Sequence, residues 1–339
     1  SFKLVMLLNT NEFKLPISYV KNKNIEKNIF SDLELTTDKL ENNLYLNLFD
    51  NHTYFSNLTL NMWSNKYTTD INFLKESQEI VKKFDINTLK NEEQKEIFDI
   101  WESIKKNISF KEKYNYINWK PLEFVNKSEY FLKVLSISSL SSPLLFFIIP
   151  IILFFVPFLL IKVKKEEFNN KNYFKYFKIV FKNVPYGRIF FFNNLSFNQK
   201  IYSIITLAIY VFNFICNYVS CRNYYNKLLQ INYDLNKIRE YCDSTINKMD
   251  SYINNFKNYK SHSLFIDDLS NKKSVLNSIL NRLNNITSFE ISFSNINCIG
   301  LILKEYYKIY EDFEIEKVME YSFCFHGYID NLKSLNKNI

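Results

Sequence analysis

Hydrophobic and polar positions are spread very unevenly along the 339 residues. From Val134 to Ile161 the chain reads VLSISSLSSPLLFFIIPIILFFVPFLLI, twenty-eight residues without an Asp, Glu, Lys or Arg. A bilayer core of about 30 Å needs about 20 apolar residues as helix, and a tilt or kink absorbs a surplus. The stretch therefore predicts a membrane span over 134–161 rather than the core helix of a soluble protein. Pro143, Pro150 and Pro157 fall seven apart, near one face. Each removes a backbone donor and predicts a bend unless neighbours satisfy the freed carbonyls. A second span is predicted over 201–221, uncharged for twenty-one residues between Lys200 and Arg222. Asn213 and Asn217 share one helical face there. Polar side chains in a span usually meet another helix, so this pair is the expected polar contact between the spans rather than a transport path. Two spans make a hairpin, which returns both larger ends to the same side of the membrane.

Outside the spans the apolar positions take a helical period. Residues 1–133 read as a soluble, mostly helical region. It begins with a strand or short helix around Leu4–Leu8 and a turn near Pro16. Leu44 and Leu48, then Leu58, Leu60, Met62 and Trp63, form helix-like patches separated by a turn at Asp50–Asn51. Asp70 is the expected N-cap of a helix using Phe73, Ser77, Ile80 and Phe84, and a further helix uses Ile97, Trp101, Ile104 and Ile108. No Gly or Pro interrupts Ile201 to Lys260, which predicts one long helix that leaves the second span and continues through 222–260. Leu228, Ile231, Leu235, Ile238, Cys242, Thr245, Met249, Tyr252 and Phe256 form a seam at steps of three and four. Such spacing suits a coiled coil, and so self-association, or a helical hairpin within the chain. Residues 261–339 read as a helical return segment. A break is expected near Ser261–Leu269, then a helix with Leu276, Ile279, Leu283 and Ile286. A strand-like Thr287–Phe293 and a helix with Ile299, Ile302, Tyr306, Ile309 and Phe313 follow. The expected fold class is mostly α, with a long lever or coiled-coil helix and a two-helix transmembrane hairpin.

Charge adds a membrane-surface element. The formal net charge is +8, and eight basic residues fall between Val163 and Lys200, against Glu166 and Glu167. Within this 162–200 loop, Lys171, Lys175, Lys178 and Lys182 lie on one helical stripe, with Phe174, Phe177, Val180 and Phe181 turned away. That pattern suits a helix in the headgroup layer, apolar side down and lysines toward anionic lipid. Phosphates of a nucleic acid could use the same lysines, but a segment tethered between two spans favours lipid. The basic residues flanking the spans on the other side number seven, so the positive-inside rule does not set the orientation.

Composition narrows the chemistry. Aromatic residues make up 18% of the chain and there are only three glycines, a bias expected of an AT-rich coding sequence. The five cysteines form no CxxC pair, and Cys216 and Cys221 lie in the second span. This points away from a disulfide scaffold or zinc site and toward a reducing compartment. The apolar run Leu4–Leu8 is too short for a signal peptide, and the absence of an initiator Met suits a fragment of a longer chain. None of Gly187, Gly300 and Gly327 stands in a GxxxxGK[ST] frame, so no phosphate-binding loop is present. His52, His262 and His326 have no metal-ligand spacing. Cys324 and His326 are two apart and lack a third orienting group, which reads as packing rather than nucleophile and base. Glu92–Glu93 and Asp267–Asp268 read as helix-start or solvated charges. The six N-x-[ST] sequons are expected by chance in an Asn-rich chain. No catalytic residue, metal site or cofactor site is predicted.

One ordered series of motifs carries a family resemblance. Asp32-Leu33-Glu34-Leu35, Leu44-Tyr45-Leu46-Asn47-Leu48-Phe49-Asp50, Leu58-Thr59-Leu60-Asn61-Met62-Trp63 and Phe73-Leu74-Lys75-Glu76-Ser77-Gln78 follow one another. The series resembles the opening of the core domain of MutS-family DNA mismatch-repair proteins. There an LE element precedes an LL…LD helix, a G-x-R-L-L-x-x-W helix and a helix with a Gln near the place of Gln78. With two spans inserted, the layout is similar to membrane-anchored MutS-like proteins of large DNA viruses. The chain departs from the pattern at Ser56–Asn57, where the family has Gly, and at Thr59, where it has a basic residue. The resemblance implies mismatched-DNA binding coupled to ATP hydrolysis with Mg, dimerisation, and a lever joining core to clamp. It also implies that both ends face the cytosol and that an ATPase domain follows Ile339. The alternative is a membrane-anchored helical scaffold or tether with no nucleic-acid role. A small transporter is disfavoured by two spans without an intramembrane charge.

Overall fold

The computed structural model describes residues 12–26, 28–29, 33, 44–49, 53–184, 187, 196–286 and 298–338. The described chain is mostly helical, in two compact units. The first unit takes Ser1–Lys127, Ile231–Ser288 and Leu301–Ile339; the second takes Ser128–Gln230 and Phe289–Gly300. Segments before and after the predicted spans thus fold together. Leu4–Leu8, the turn at Asp50–Asn51, most of the Asp32–Leu35 motif and Thr287–Phe293 lie outside the described residues.

In the first unit, α1 (Leu44–Phe49), α2 (Ser56–Trp63), α3 (Ile71–Lys82) and α4 (Asn91–Lys105) come before the hairpin in the chain. Asp70 caps α3 as its position predicts, its carboxylate accepting from the Asn72 and Phe73 N–H groups. Phe73 and Ile80 point inward on α3, as Ile97, Trp101 and Ile104 do on α4. Ile108 does not continue that face. The Asn107 side chain takes the Ser109 N–H at 3.1 Å, an alternative to further helical bonding, and Ile108 is exposed beyond the helix end. A short helix, α5 (Phe110–Lys113), and a two-stranded antiparallel ribbon, β1 (Lys23–Asn24) with β2 (Lys66–Tyr67), complete this part.

The uninterrupted stretch after residue 197 forms one helix of 60 residues, with α6 (Glu129–Val163) and α7 (Asn170–Asn183) before it in the chain; it is α8 (Phe197–Phe256). Every seam residue from Leu228 to Phe256 is buried. The break after α8 is shorter than predicted, because α9 (Ser263–Asn284) already begins at Ser263 and takes in Leu269. After α10 (Ile299–Glu311), the C-terminal stretch YSFCFHGYIDNLKSLNKN lies within α11 (Phe313–Asn338). From Ile315 to Leu332 nearly every residue of α11 is buried. It is the centre of this unit, with α1, α2, α3 and α9 packed against it. The seam of α8 meets it as well: the Tyr241 and Ser322 hydroxyls are 2.9 Å apart, Thr245 Oγ1 lies 2.9 Å from His326 Nε2, and the Tyr252 and Tyr328 hydroxyls are 3.1 Å apart. The spacing that suits a coiled coil is therefore occupied within the chain. Phe313 instead starts α11 with its ring exposed, because Asp312 ends α10 and takes the Glu314 N–H.

The second unit contains α6, α7 and the first half of α8. Among the described residues, two helices are long and apolar enough to cross a membrane, Glu129–Ile148 within α6 and Phe197–Phe256. Helix α6 passes through all three prolines without a break and extends the predicted 134–161 at both ends.

Candidate functional site: a hairpin of two apolar helices

The feature most demanding of explanation is how α6 stays helical through its prolines. A proline at position i leaves the carbonyl at i−4 without its helical donor. For Pro143 that carbonyl is Ser139, and the Ser142 hydroxyl donates to it at 3.1 Å. For Pro150 it is Phe146, and the Tyr210 hydroxyl of α8 donates to it at 2.8 Å. Hydroxyls thus replace two of the three missing amide donors, one from α6 itself and one from the facing helix. Cys221 Sγ donates to the Leu140 carbonyl at 3.3 Å, and Ser136 Oγ lies 2.7 Å from the Tyr224 hydroxyl. The pairs 136–224, 140–221 and 146–210 advance in opposite directions along the two helices, so α6 and α8 are antiparallel. Phe147 packs edge-on against Phe214, with centroids 4.8 Å apart.

These contacts correct one expectation. Asn213 and Asn217 are not the polar link between the helices. Asn217 Nδ2 donates to the Asn213 carbonyl at 2.8 Å within α8, and the Asn213 side chain is exposed. The link runs instead through Tyr210, whose hydroxyl reaches the Phe146 carbonyl that Pro150 frees, and through Cys221, whose thiol adds a second donor to the Leu140 carbonyl. Removing one such donor is expected to be measurable. Tyr210→Phe leaves the Phe146 carbonyl without a donor in an apolar setting, at an expected cost of about 1 kcal/mol to hairpin pairing. Unfolding of the full chain in mixed micelles, with sodium dodecyl sulfate as denaturant, reads this out; an unchanged midpoint contradicts it.

Helix α7 also differs from its expected disposition. Lys171, Lys175, Lys178 and Lys182 are all exposed on one stripe, as the spacing predicts. The opposite side does not stay free to meet lipid. Phe177 and Phe181 pack on Phe154, Tyr173 packs on Phe158, and the Tyr173 hydroxyl donates to the Phe154 carbonyl at 3.1 Å. The last turns of α6 cover much of that face, since an adjacent aromatic stripe removes more apolar surface from water than α7 removes alone. Lys175 is further committed to Glu166, 3.5 Å away.

The first unit holds a cavity of about 330 Å³ that sequence reasoning missed. Its lining includes Leu15, Trp63, Lys66, Phe73, Ser77 and His262. The His262 ring stacks on Phe73 at 4.9 Å and its Nε2 lies 3.1 Å from Ser77 Oγ. This has the outline of a nucleophile and base, but His262 Nδ1 has no partner where a carboxylate would orient the ring. Burial pushes His262 down to about 4, so the imidazole is neutral and a weak base. The pair lines an apolar cavity without being equipped for acyl transfer. No local signal marks it, since Ser77 and His262 are 185 residues apart. Cys324 and His326 are both fully enclosed in the core, His326 facing Thr245. Among the described residues, no three His, Cys, Asp or Glu side chains gather as metal ligands. Compared with protein-family models, with curated proteins and with solved structures, the chain matches none.

Proposed function

We propose that the chain is an integral-membrane protein, a helical scaffold or tether that uses the α6–α8 hairpin to hold its first unit at a membrane. One observation carries the reading: the outward faces of both helices are apolar and exposed while two of the three carbonyls freed by proline are satisfied within the hairpin. Leu144, Ile151, Phe155 and Leu159 on α6, and Ile205, Ile209, Phe212 and Ile215 on α8, all face outward. Water would not favour such a surface, whereas hydrocarbon requires both the apolar exterior and the internal satisfaction of backbone groups. Two crossings return the chain to the side it left, so both ends share one compartment, the cytosol. Lys171, Lys178 and Lys182 meet anionic headgroups across the membrane from those ends. The experiment is alkaline carbonate extraction of membranes carrying the full chain, with cysteine-accessibility labelling at positions 66 and 178. Retention in the pellet with labelling from opposite sides is expected. Release into the supernatant contradicts the anchor, and labelling from one side contradicts the two crossings.

A second reading retains the MutS-type core and lever. It is supported by the order of the segments that carry the resemblance: 44–49, 56–63 and 71–82 are successive helices, and the unit they belong to is completed by chain from beyond the hairpin. On this reading DNA is a partner, and ATP with Mg belongs to a domain after Ile339. Reading the coding frame past Ile339 tests it: a GxxxxGK[ST] loop after a strand supports the ATPase, and a stop codon supports the tether. Retained DNA work requires binding that weakens steeply with salt.

A further inference from the structure

Asn213 is the residue the hairpin leaves unexplained. It lies two positions past the midpoint of the uncharged stretch Ile201–Cys221, about 3 Å along the axis at 1.5 Å per residue. Its carbonyl is taken by Asn217, but its side-chain amide has no partner among the described residues. It stands on a flank of α8 beside the face that meets α6, which uses Tyr210, Phe214, Cys221 and Tyr224. Ile209, Cys216 and Ser220 continue that flank at steps of four, three and four, and all are exposed. The spacing is that of a helix–helix seam, and the small side chains of Cys216 and Ser220 allow two backbones to approach closely.

We propose that two copies of the chain associate in the membrane through this flank of α8, with their Asn213 amides hydrogen-bonded to each other. The inference rests on reading α8 as a span. Lipid tails offer an amide neither donor nor acceptor, so an outward Asn near mid-depth has an unmet requirement on both counts. A carboxamide is its own complement. Across a two-fold axis along the membrane normal, each carbonyl accepts from the other's N–H, and one contact satisfies both copies. Two copies inserted the same way place Asn213 at equal depth without adjustment. They also bring the two Cys216 side chains together, one turn away, whereas Cys221 is turned to α6.

Cys216 supplies the test. Membranes carrying the full chain are oxidised with copper–phenanthroline, and the yield of covalent dimer is read on non-reducing gels. The expected result is a dimer lost in Cys216→Ser and retained in Cys221→Ser. Asn213→Leu is expected to lower its yield about tenfold, the size of one interhelical polar contact, and Asn213→Gln to restore much of it. Energy transfer between labelled copies, measured at falling protein-to-lipid ratio, should follow the same order. Undiminished dimer in Asn213→Leu overturns the inference, as does a Cys216 product joined to a different protein. Carbonate extraction of the same membranes separates the failures: a retained chain indifferent to Asn213→Leu sinks only the dimer, and an extracted chain sinks the span as well.

Discussion

Gly327→Ala is expected to destabilise the first unit by about 3 kcal/mol, at the upper end of what one inserted methyl costs in a packed core. Gly327 lies within α11, and a Cβ built there would stand 2.1 Å from the Phe55 carbonyl oxygen and 3.1 Å from Thr59 Oγ1. The first of these is backbone at the start of α2, so no rotamer change relieves it. Either α2 shifts as a whole or the helix contact is lost, and with it the stacking of Phe55 on Phe323 at 5.0 Å and of Trp63 on Tyr328 at 5.8 Å. Close-packed interiors transmit such a shift rather than absorb it. In a unit of this size the change amounts to about 6–12 °C in melting temperature. Far-ultraviolet circular dichroism of the full chain in nanodiscs measures it, through the helical signal of the first unit that is lost on heating. Asn271→Ala on the exposed side of α9 should stay within about 0.5 kcal/mol. If Gly327→Ala melts with the parent, the close approach of α11 to α2 is wrong.

The second large effect concerns Asp330, on the same helix. Its Oδ2 accepts from Thr53 Oγ1 at 2.6 Å and from Gln94 Nε2 at 2.8 Å. Gln94 Oε1 in turn accepts the Phe55 N–H at 2.9 Å. One carboxylate thus ties α11 to α4 and to the start of α2. Burial pushes Asp330 up from 3.8 to about 6, opposed by the hydrogen bonds from Thr53 and Gln94 and by the charges of Lys333 and Lys248. A folded-state value above the unfolded one means that its favourable contribution is complete below pH 3.8 and is lost as pH rises through 6. The full difference corresponds to about 3 kcal/mol. His262 and His326 act the other way. Burial lowers both, so their contribution is present above 6.5 and is lost as pH falls toward their folded values. The parent's total pH dependence mixes these signs. The stability of Asp330→Asn relative to the parent does not: it should fall by about 2 kcal/mol between pH 7 and pH 4, as the parent recovers most of what the ionised Asp330 cost it. Urea midpoints at the two pH values measure it. A constant offset between the two proteins would show that the carboxyl titrates alike in folded and unfolded chains.

Both predictions lie on α11, and this helix separates what was legible in the sequence from what was not. The long α8, the cap at Asp70, the buried faces of α3 and α4 and the two apolar helices follow from local patterns. Spacing, charge and the missing Gly and Pro specify them residue by residue. The stretch YSFCFHGYIDNLKSL carries no such stripe, because a helix buried on every side shows no period. Its buried polar members, Ser322, Asp330 and Asn331 among them, carry no local mark of burial, because partners such as Tyr241, Gln94 and Thr59 lie far away in the chain. The same limit explains the seam of α8. Spacing every three or four residues specifies that the seam is buried but not by what, and α11 rather than a second copy occupies it. It explains Asn213 and Asn217 too, since a polar pair four apart specifies a face without saying which way the face is turned.

By itself, then, the sequence determined the long α8, the inward faces of α3 and α4, which two stretches suit hydrocarbon and that no GxxxxGK[ST] frame is present. These depend on composition and period over neighbouring residues. Only the tertiary structure decided that chain from both sides of the hairpin closes around α11, that Tyr210 answers Pro150, and that Asn213 faces outward. Each of these joins residues tens to hundreds of positions apart, and such pairings are selected by packing and by the need to satisfy buried polar groups.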